Sequence, residues 1–301
     1  MSGGRIAGGR DAENLSKPYI MKKYLLLCLS AGLFLFAGCN GEQPADAETQ
    51  EEDAGMEQFA EDEAFQAAHK TPNELEFQGR GEMVSLETPD GLTANAYLLP
   101  ADAETNQYLL VFHEWWGLNE HIKAEAERLF DMLDSNVTVL ALDLYDGQVA
   151  ATQERASELM QSVDQAQAEA IIQSAIERAG AGAQIGTIGW CFGGGWSLRA
   201  AIMAGEQGAG CVMYYGMPVQ SEEAIEPLSC DVLGLFAEQD DWITDEVIRN
   251  FKQLAETADK ELEVYTFDAL HAFANPSNPH FDERAAEQAN ELAWTFLKER
   301  L

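Results

Sequence analysis

Residues 188–197 read IGWCFGGGWS: Ile188, Gly189, Trp190, Cys191, Phe192, Gly193, Gly194, Gly195, Trp196 and Ser197. The apolar run 185–190 enters this stretch as a β-strand, and a helical pattern leaves it near Gly194. Cys191 therefore sits on a strand-to-helix turn with Gly189 two residues before it and Gly193 two after, the spacing of a nucleophile elbow with cysteine as the reactive residue. Glycines there let the chain turn sharply and lift the side chain clear, while the helix N-terminus favours negative charge on it. Three uses of the thiol compete at this point: nucleophile, half of a disulfide, or inert core cysteine.

Outward from the elbow, strand-like runs at 82–87, 92–99, 108–113, 137–144, 185–190, 211–215, 232–237 and 262–267 alternate with helical patterns at 121–133, 154–179, 245–258 and 281–297. This alternation predicts an α/β fold with a mainly parallel central sheet and helices on both faces. The runs 109–112 and 137–142 are continuously apolar, as buried parallel strands are. The first two strands are more polar and are expected to form an antiparallel edge.

In such sheets reactive groups collect at the carboxyl ends of strands. Asp240 follows the run ending Phe236-Ala237, and His271 follows the run ending near Phe267. A nucleophile needs a base and the base an orienting partner, and the order Cys, Asp, His is that of α/β-hydrolases. Asp241 is the adjacent alternative to Asp240. The strand end HEWWGLNEH (113–121) superficially suggests zinc, but the spacing H-E-x-x-H would need histidine where Gly117 stands. No metal and no cofactor are expected. That loop is instead where this fold supplies a second oxyanion-hole amide.

Taken together, HEWWGLNEHIK (113–123), LALDLYDG (140–147), GWCFGGGWS (189–197), AEQDDWI (237–243) and the LHAF around His271 resemble the dienelactone hydrolase family of α/β-hydrolases. The resemblance spans residues 81–301. It implies Cys191 as nucleophile, His271 as general base, Asp240 as its orienter, and the amides of Trp115 and Phe192 as oxyanion hole. It also implies that Glu114 contacts the thiol at rest and helps deprotonate it when substrate binds. One departure stands out: where the member acting on dienelactone has an arginine four residues beyond the histidine, this chain has Asn275, which puts dienelactone itself in doubt. Arg155 is a candidate replacement cation. The expected substrate is a small-molecule ester or lactone.

The N-terminus carries a different message. Residues 1–20 precede a signal-like segment and read as a mis-called upstream extension. Residues 21–38 combine Met21-Lys22-Lys23 with the apolar run 24–37, too short for a comfortable membrane span, and end at Cys39. The sequence Phe36-Ala37-Gly38-Cys39 resembles the lipobox of bacterial lipoproteins, which implies lipidation of Cys39 and an exported, envelope-anchored protein; a plain secretory signal cut near Ala37 is the alternative. Residues 39–80 are expected to be an acidic disordered tether. With 52 acidic against 18 basic residues the formal charge is −34, which argues against nucleic acid or an anionic lipid surface as a partner. Membrane association is expected only through the lipid. Of the five cysteines, Cys28 leaves with the signal, and Cys211 and Cys230 are either a disulfide or core thiols.

Two other functions compete with ester or lactone hydrolysis: a non-catalytic ligand-binding lipoprotein on the same scaffold, and a cysteine enzyme resembling the DJ-1 group, which also sets a cysteine on an elbow beside a glutamate. The second predicts that Asp240 and His271 are dispensable.

Overall fold

The computed structural model describes residues 54–301; the expected upstream extension, the expected signal segment, Cys39 and the first part of the expected tether lie outside the described residues. Eight strands form one sheet: β1 (Glu82–Glu87), β2 (Thr93–Leu99), β3 (Gln107–Phe112), β4 (Thr138–Asp143), β5 (Gln184–Trp190), β6 (Gly208–Tyr214), β7 (Val232–Gln239) and β8 (Leu262–Leu270). Their order is β1-β2-β4-β3-β5-β6-β7-β8. β2 pairs antiparallel with β1 and with β4, and the remaining pairs are parallel.

In the middle of the sheet, residues of both parities are buried: β4 from Val139 onward, and β5 from Ile185 onward. A half-exposed strand would alternate, so both faces of these strands are covered. β1, at the edge, is largely exposed. The helices are α1 (Glu63–Ala68), α2 (Glu120–Met132), α3 (Gln153–Gln161), α4 (Gln165–Ala179), α5 (Phe192–Ala204), α6 (Glu222–Ile225), α7 (Asp245–Thr257) and α8 (Glu283–Lys298). α2 shows how they are specified. Asn119 caps it by accepting from the amides of His121 and Ile122 at 3.1 Å, and Ile122, Ala126, Leu129 and Phe130 form the stripe it buries.

Three expectations need correction. The single helix expected over 154–179 is two, because Asp164 takes the amide of Gln167 at 2.9 Å and starts α4 afresh. The helix after the elbow begins at Phe192, two residues earlier than its composition suggests. The largest change is upstream: residues 56–69, placed in the disordered tether, fold onto the α/β body. Met56, Ala60, Phe65 and His69 are buried there. Asp62 caps α1 through the amides of Ala64 and Phe65 and also accepts from Trp242 Nε1 at 3.1 Å. Ser157 Oγ donates to the Ala60 carbonyl at 2.6 Å, and Gln153 Nε2 to the carbonyls of Gln66 (2.6 Å) and His69 (2.9 Å). Acidic residues dominate the composition of this stretch, but its large apolar residues, Met56, Phe59 and Phe65, pack on the body.

Candidate active site

At the end of β5 the chain turns at Cys191 with φ 53°, a left-handed conformation that a non-glycine residue adopts only when its surroundings enforce it. Those surroundings are backbone. A Cβ on Gly189 would meet the Gly193 carbonyl oxygen at 2.0 Å, and one on Gly193 would meet the Phe112 carbonyl oxygen at 2.4 Å. The two glycines thus allow β3, β5 and α5 to close around the cysteine. Phe192 opens α5, so its amide is one of the first-turn groups with no intrahelical acceptor.

His271, just beyond β8, and Asp240, just beyond β7, meet in the interior. His271 Nδ1 lies 2.6 Å from Asp240 Oδ2, and each side chain is 1% exposed. Asp240 Oδ1 accepts from the amides of Trp242 and Ile243, both at 2.9 Å, which orients the carboxylate. Asp241 is exposed. Burial alone would lower the His271 pKa, but the charge and hydrogen bond of Asp240, with Cys191 adding, push it up to about 10. Burial would raise Asp240, yet His271 and the two amides bring it below the usual carboxylate value. The Cys191 thiol, 1% exposed, is pushed up by burial, with His271 opposing and Glu114 reinforcing. A resting thiol next to an imidazolium–carboxylate pair is the state these directions favour.

Glu114 is buried beside this group. Its Oε2 accepts from Asn275 Nδ2, while Oε1 is buried without a partner. Burial raises its carboxyl to about 7, against the pull of His271 and Asn275. Among the described residues no hydrogen bond joins Glu114 to Cys191, although its charge acts on the thiol. Asn275, noted in the sequence only as a missing arginine, is thus the residue that holds Glu114. Arg155 does not reach the site: it is exposed and pairs with Glu158 at 2.7 Å and with Gln148. The cation near the site is Arg128, which lines a cavity of about 310 Å³ together with Glu114, Trp116, Asn119, Trp190 and Asn275. Its guanidinium is taken by Glu125 at 2.5 and 2.8 Å. Neither Cys191 nor His271 lines that cavity.

His113 is structural. Nδ1 donates to the Glu114 carbonyl at 2.6 Å and Nε2 accepts from the Leu144 amide at 3.1 Å, so it ties the loop carrying Glu114 and Trp115 to the end of β4. Cys211 and Cys230 are free thiols, and Cys211 is buried near Ser197 Oγ at 3.6 Å.

What composition concealed is the cover. Phe65 from α1 is fully buried, its ring 5.3 Å from Trp115, 5.1 Å from Trp242 and 6.0 Å from His271. His69 follows it with its ring 5.3 Å from that of His271. The N-terminal segment therefore closes over the thiol and its histidine. Tyr215, whose buried hydroxyl has no partner, also packs against His271, ring to ring at 5.1 Å.

The Dienelactone hydrolase family profile matches residues 94–301 of this sequence. The chain belongs to the dienelactone hydrolase family. Within this family it is 26% identical over 228 residues to a protein of Aquifex aeolicus (strain VF5) whose carboxymethylenebutenolidase name is provisional, an alignment covering 72% of this chain and 98% of that one. It is 23% identical over 222 residues to carboxymethylenebutenolidase 1 of Cupriavidus pinatubonensis, covering 69% and 92%. Among solved structures, a dienelactone hydrolase-like promiscuous phosphotriesterase from metagenomic libraries superposes with TM-score 0.63 at 21% identity, covering 74% of this chain and 99% of that one. That likeness speaks to the α/β-hydrolase fold. α1, with Phe65 and His69, lies ahead of the matched region.

Proposed function

We propose that this hydrolase cleaves small carboxylic esters or lactones through a thioester on Cys191. The observation that carries the reading is the buried Asp240–His271 bond of 2.6 Å set beside a cysteine on a strained elbow. The Cys191 thiolate attacks the acyl carbon, and the amides of Phe192 and Trp115 stabilise the oxyanion. His271 gives a proton to the departing alcohol, then takes one from the water that hydrolyses the thioester, with Asp240 holding its ring. Glu114, with a carboxyl pKa near neutrality, is suited to take the thiol proton as substrate arrives. The cavity on the Glu114 side is the entry, and because Arg128 is engaged by Glu125 while position 275 is asparagine, a neutral acyl compound suits it better than a carboxylate-bearing one.

This arrangement weighs against the DJ-1-like alternative, which gives Asp240 and His271 no task. The lipobox-like sequence before Cys39 supports export and lipid anchoring in the cell envelope; mass spectrometry of the mature N-terminus tests it, a free Cys39 counting against the anchor. For the chemistry the test is turnover of a short acyl ester: activity in the wild type with none in Cys191→Ala supports the proposal, and retained activity in that variant sinks it.

A further inference from the structure

His69 has no task in ester hydrolysis and lies outside the region shared with the family, yet it is 3% exposed at the centre of the site. One nitrogen of Cys191's neighbour His271, one nitrogen of His69 and the sulfur of Cys191 all lie within 4.8 Å of one another. We propose that these three residues form a binding site for a thiophilic transition-metal ion of the Zn²⁺ type, and that its occupation blocks the nucleophile and its base.

The case rests on how the two imidazoles are held. His69 commits Nδ1 to the Phe65 carbonyl at 2.7 Å, and His271 commits Nδ1 to Asp240 at 2.6 Å. Ring nitrogens so engaged with a carbonyl or carboxylate are the usual outer support of metal-ligating histidines, because they fix the ring and leave the other nitrogen for the metal. Here that other nitrogen, Nε2, is buried in both residues, without a partner in His69 and with only the Cys191 thiol to meet in His271. The unpaired His69 nitrogen is costly to keep buried without a partner. A tetrahedral centre with Zn–S of about 2.3 Å and Zn–N of about 2.0 Å wants its donors about 3.5 Å apart, so closing from within 4.8 Å takes a shift of about an ångström. Asp240 supplies negative charge behind the site.

Binding replaces the thiol proton, and the Nε2 proton of His271 where it is present, with the metal; both protons leave to solvent, and affinity rises with pH. Because His69 sits on the N-terminal segment and the other two donors on the hydrolase body, the ion would also pin that segment over the site.

The experiment uses the full chain, reduced and freed of metal with a chelator. Titration with Co²⁺ is expected to give one equivalent bound with the thiolate-to-cobalt charge-transfer band and tetrahedral visible bands, both bleached by Zn²⁺. His69→Ala should weaken Zn²⁺ binding at least about a hundredfold, the upper end for loss of even an outer-shell partner. His69→Phe, which keeps a ring in the slot, should do the same with an unchanged circular dichroism spectrum. Absence of the charge-transfer band, or equal affinity in wild type and both His69 variants, overturns the site. These readouts need no turnover, so they stand apart from the hydrolytic proposal: a cobalt band in a protein that cleaves no ester removes the reaction and keeps the metal. In a protein that does cleave esters, Zn²⁺ should inhibit wild type at concentrations at least about a hundredfold below those needed for His69→Phe.

Discussion

Glu114→Gln tests the electrostatics of the site through stability. The Glu114 carboxyl ionises near 4.5 in an unfolded chain, and burial raises this to about 7 in the folded protein. Between those values the folded state keeps a proton that the unfolded state has released, so stability falls as pH rises. The contribution is fully present below pH 4.5 and is lost as pH passes through about 7. A pKa interval of about 2.5, at about 1.4 kcal/mol per unit, makes the loss about 3 kcal/mol. Glutamine has similar shape, can still accept from Asn275, and does not titrate. Urea unfolding of both proteins from pH 4.5 to 8.5 should show the wild type losing about 3 kcal/mol relative to Glu114→Gln across this range, nearly all of it by pH 8. Comparing the two proteins cancels the titrating groups that do not interact with Glu114 and any pH-independent cost of the substitution. Parallel stability profiles would refute the buried, proton-holding Glu114.

Other perturbations report on other parts. Asp240→Asn removes the charge that raises His271, so the His271 pKa should fall and turnover drop by about 10⁴-fold, as a misoriented imidazole does in related triads; unchanged turnover would argue against the pair. Phe65→Ala opens the cover, and labelling of Cys191 by a disulfide reagent, read by peptide mapping, should accelerate; an unchanged rate means α1 is not what shields it. Gly193→Ala forces a Cβ against the Phe112 and His113 carbonyls and should cost about 3 kcal/mol or more, measured by thermal unfolding, whereas a neutral effect would contradict the close approach of β3 and α5.

The central strands β3, β4 and β5 were legible because buried parallel strands are continuous apolar runs, and the elbow because only glycine fits at 189 and 193. Asp240 and His271 were legible from their place after strands. The break before Asp164 was not, since the apolar periodicity of 154–179 runs through it and only a cap divides it. Residues 56–69 were misread because composition averages over the stretch, whereas docking depends on four residues, Met56, Ala60, Phe65 and His69, and on caps such as Asp62. Asn275 looked like a missing cation because its partner, Glu114, is 161 residues away and only the fold brings them together.

The most direct test of the central claim is to catch the acyl group. Wild-type protein turning over a short acyl aryl ester is quenched in acid and digested, and the peptides are weighed. The account predicts one acyl group on the peptide bearing Cys191, as a thioester removed by hydroxylamine. Turnover with the acyl group on another residue, or with Cys191 unmodified and dispensable, would contradict it.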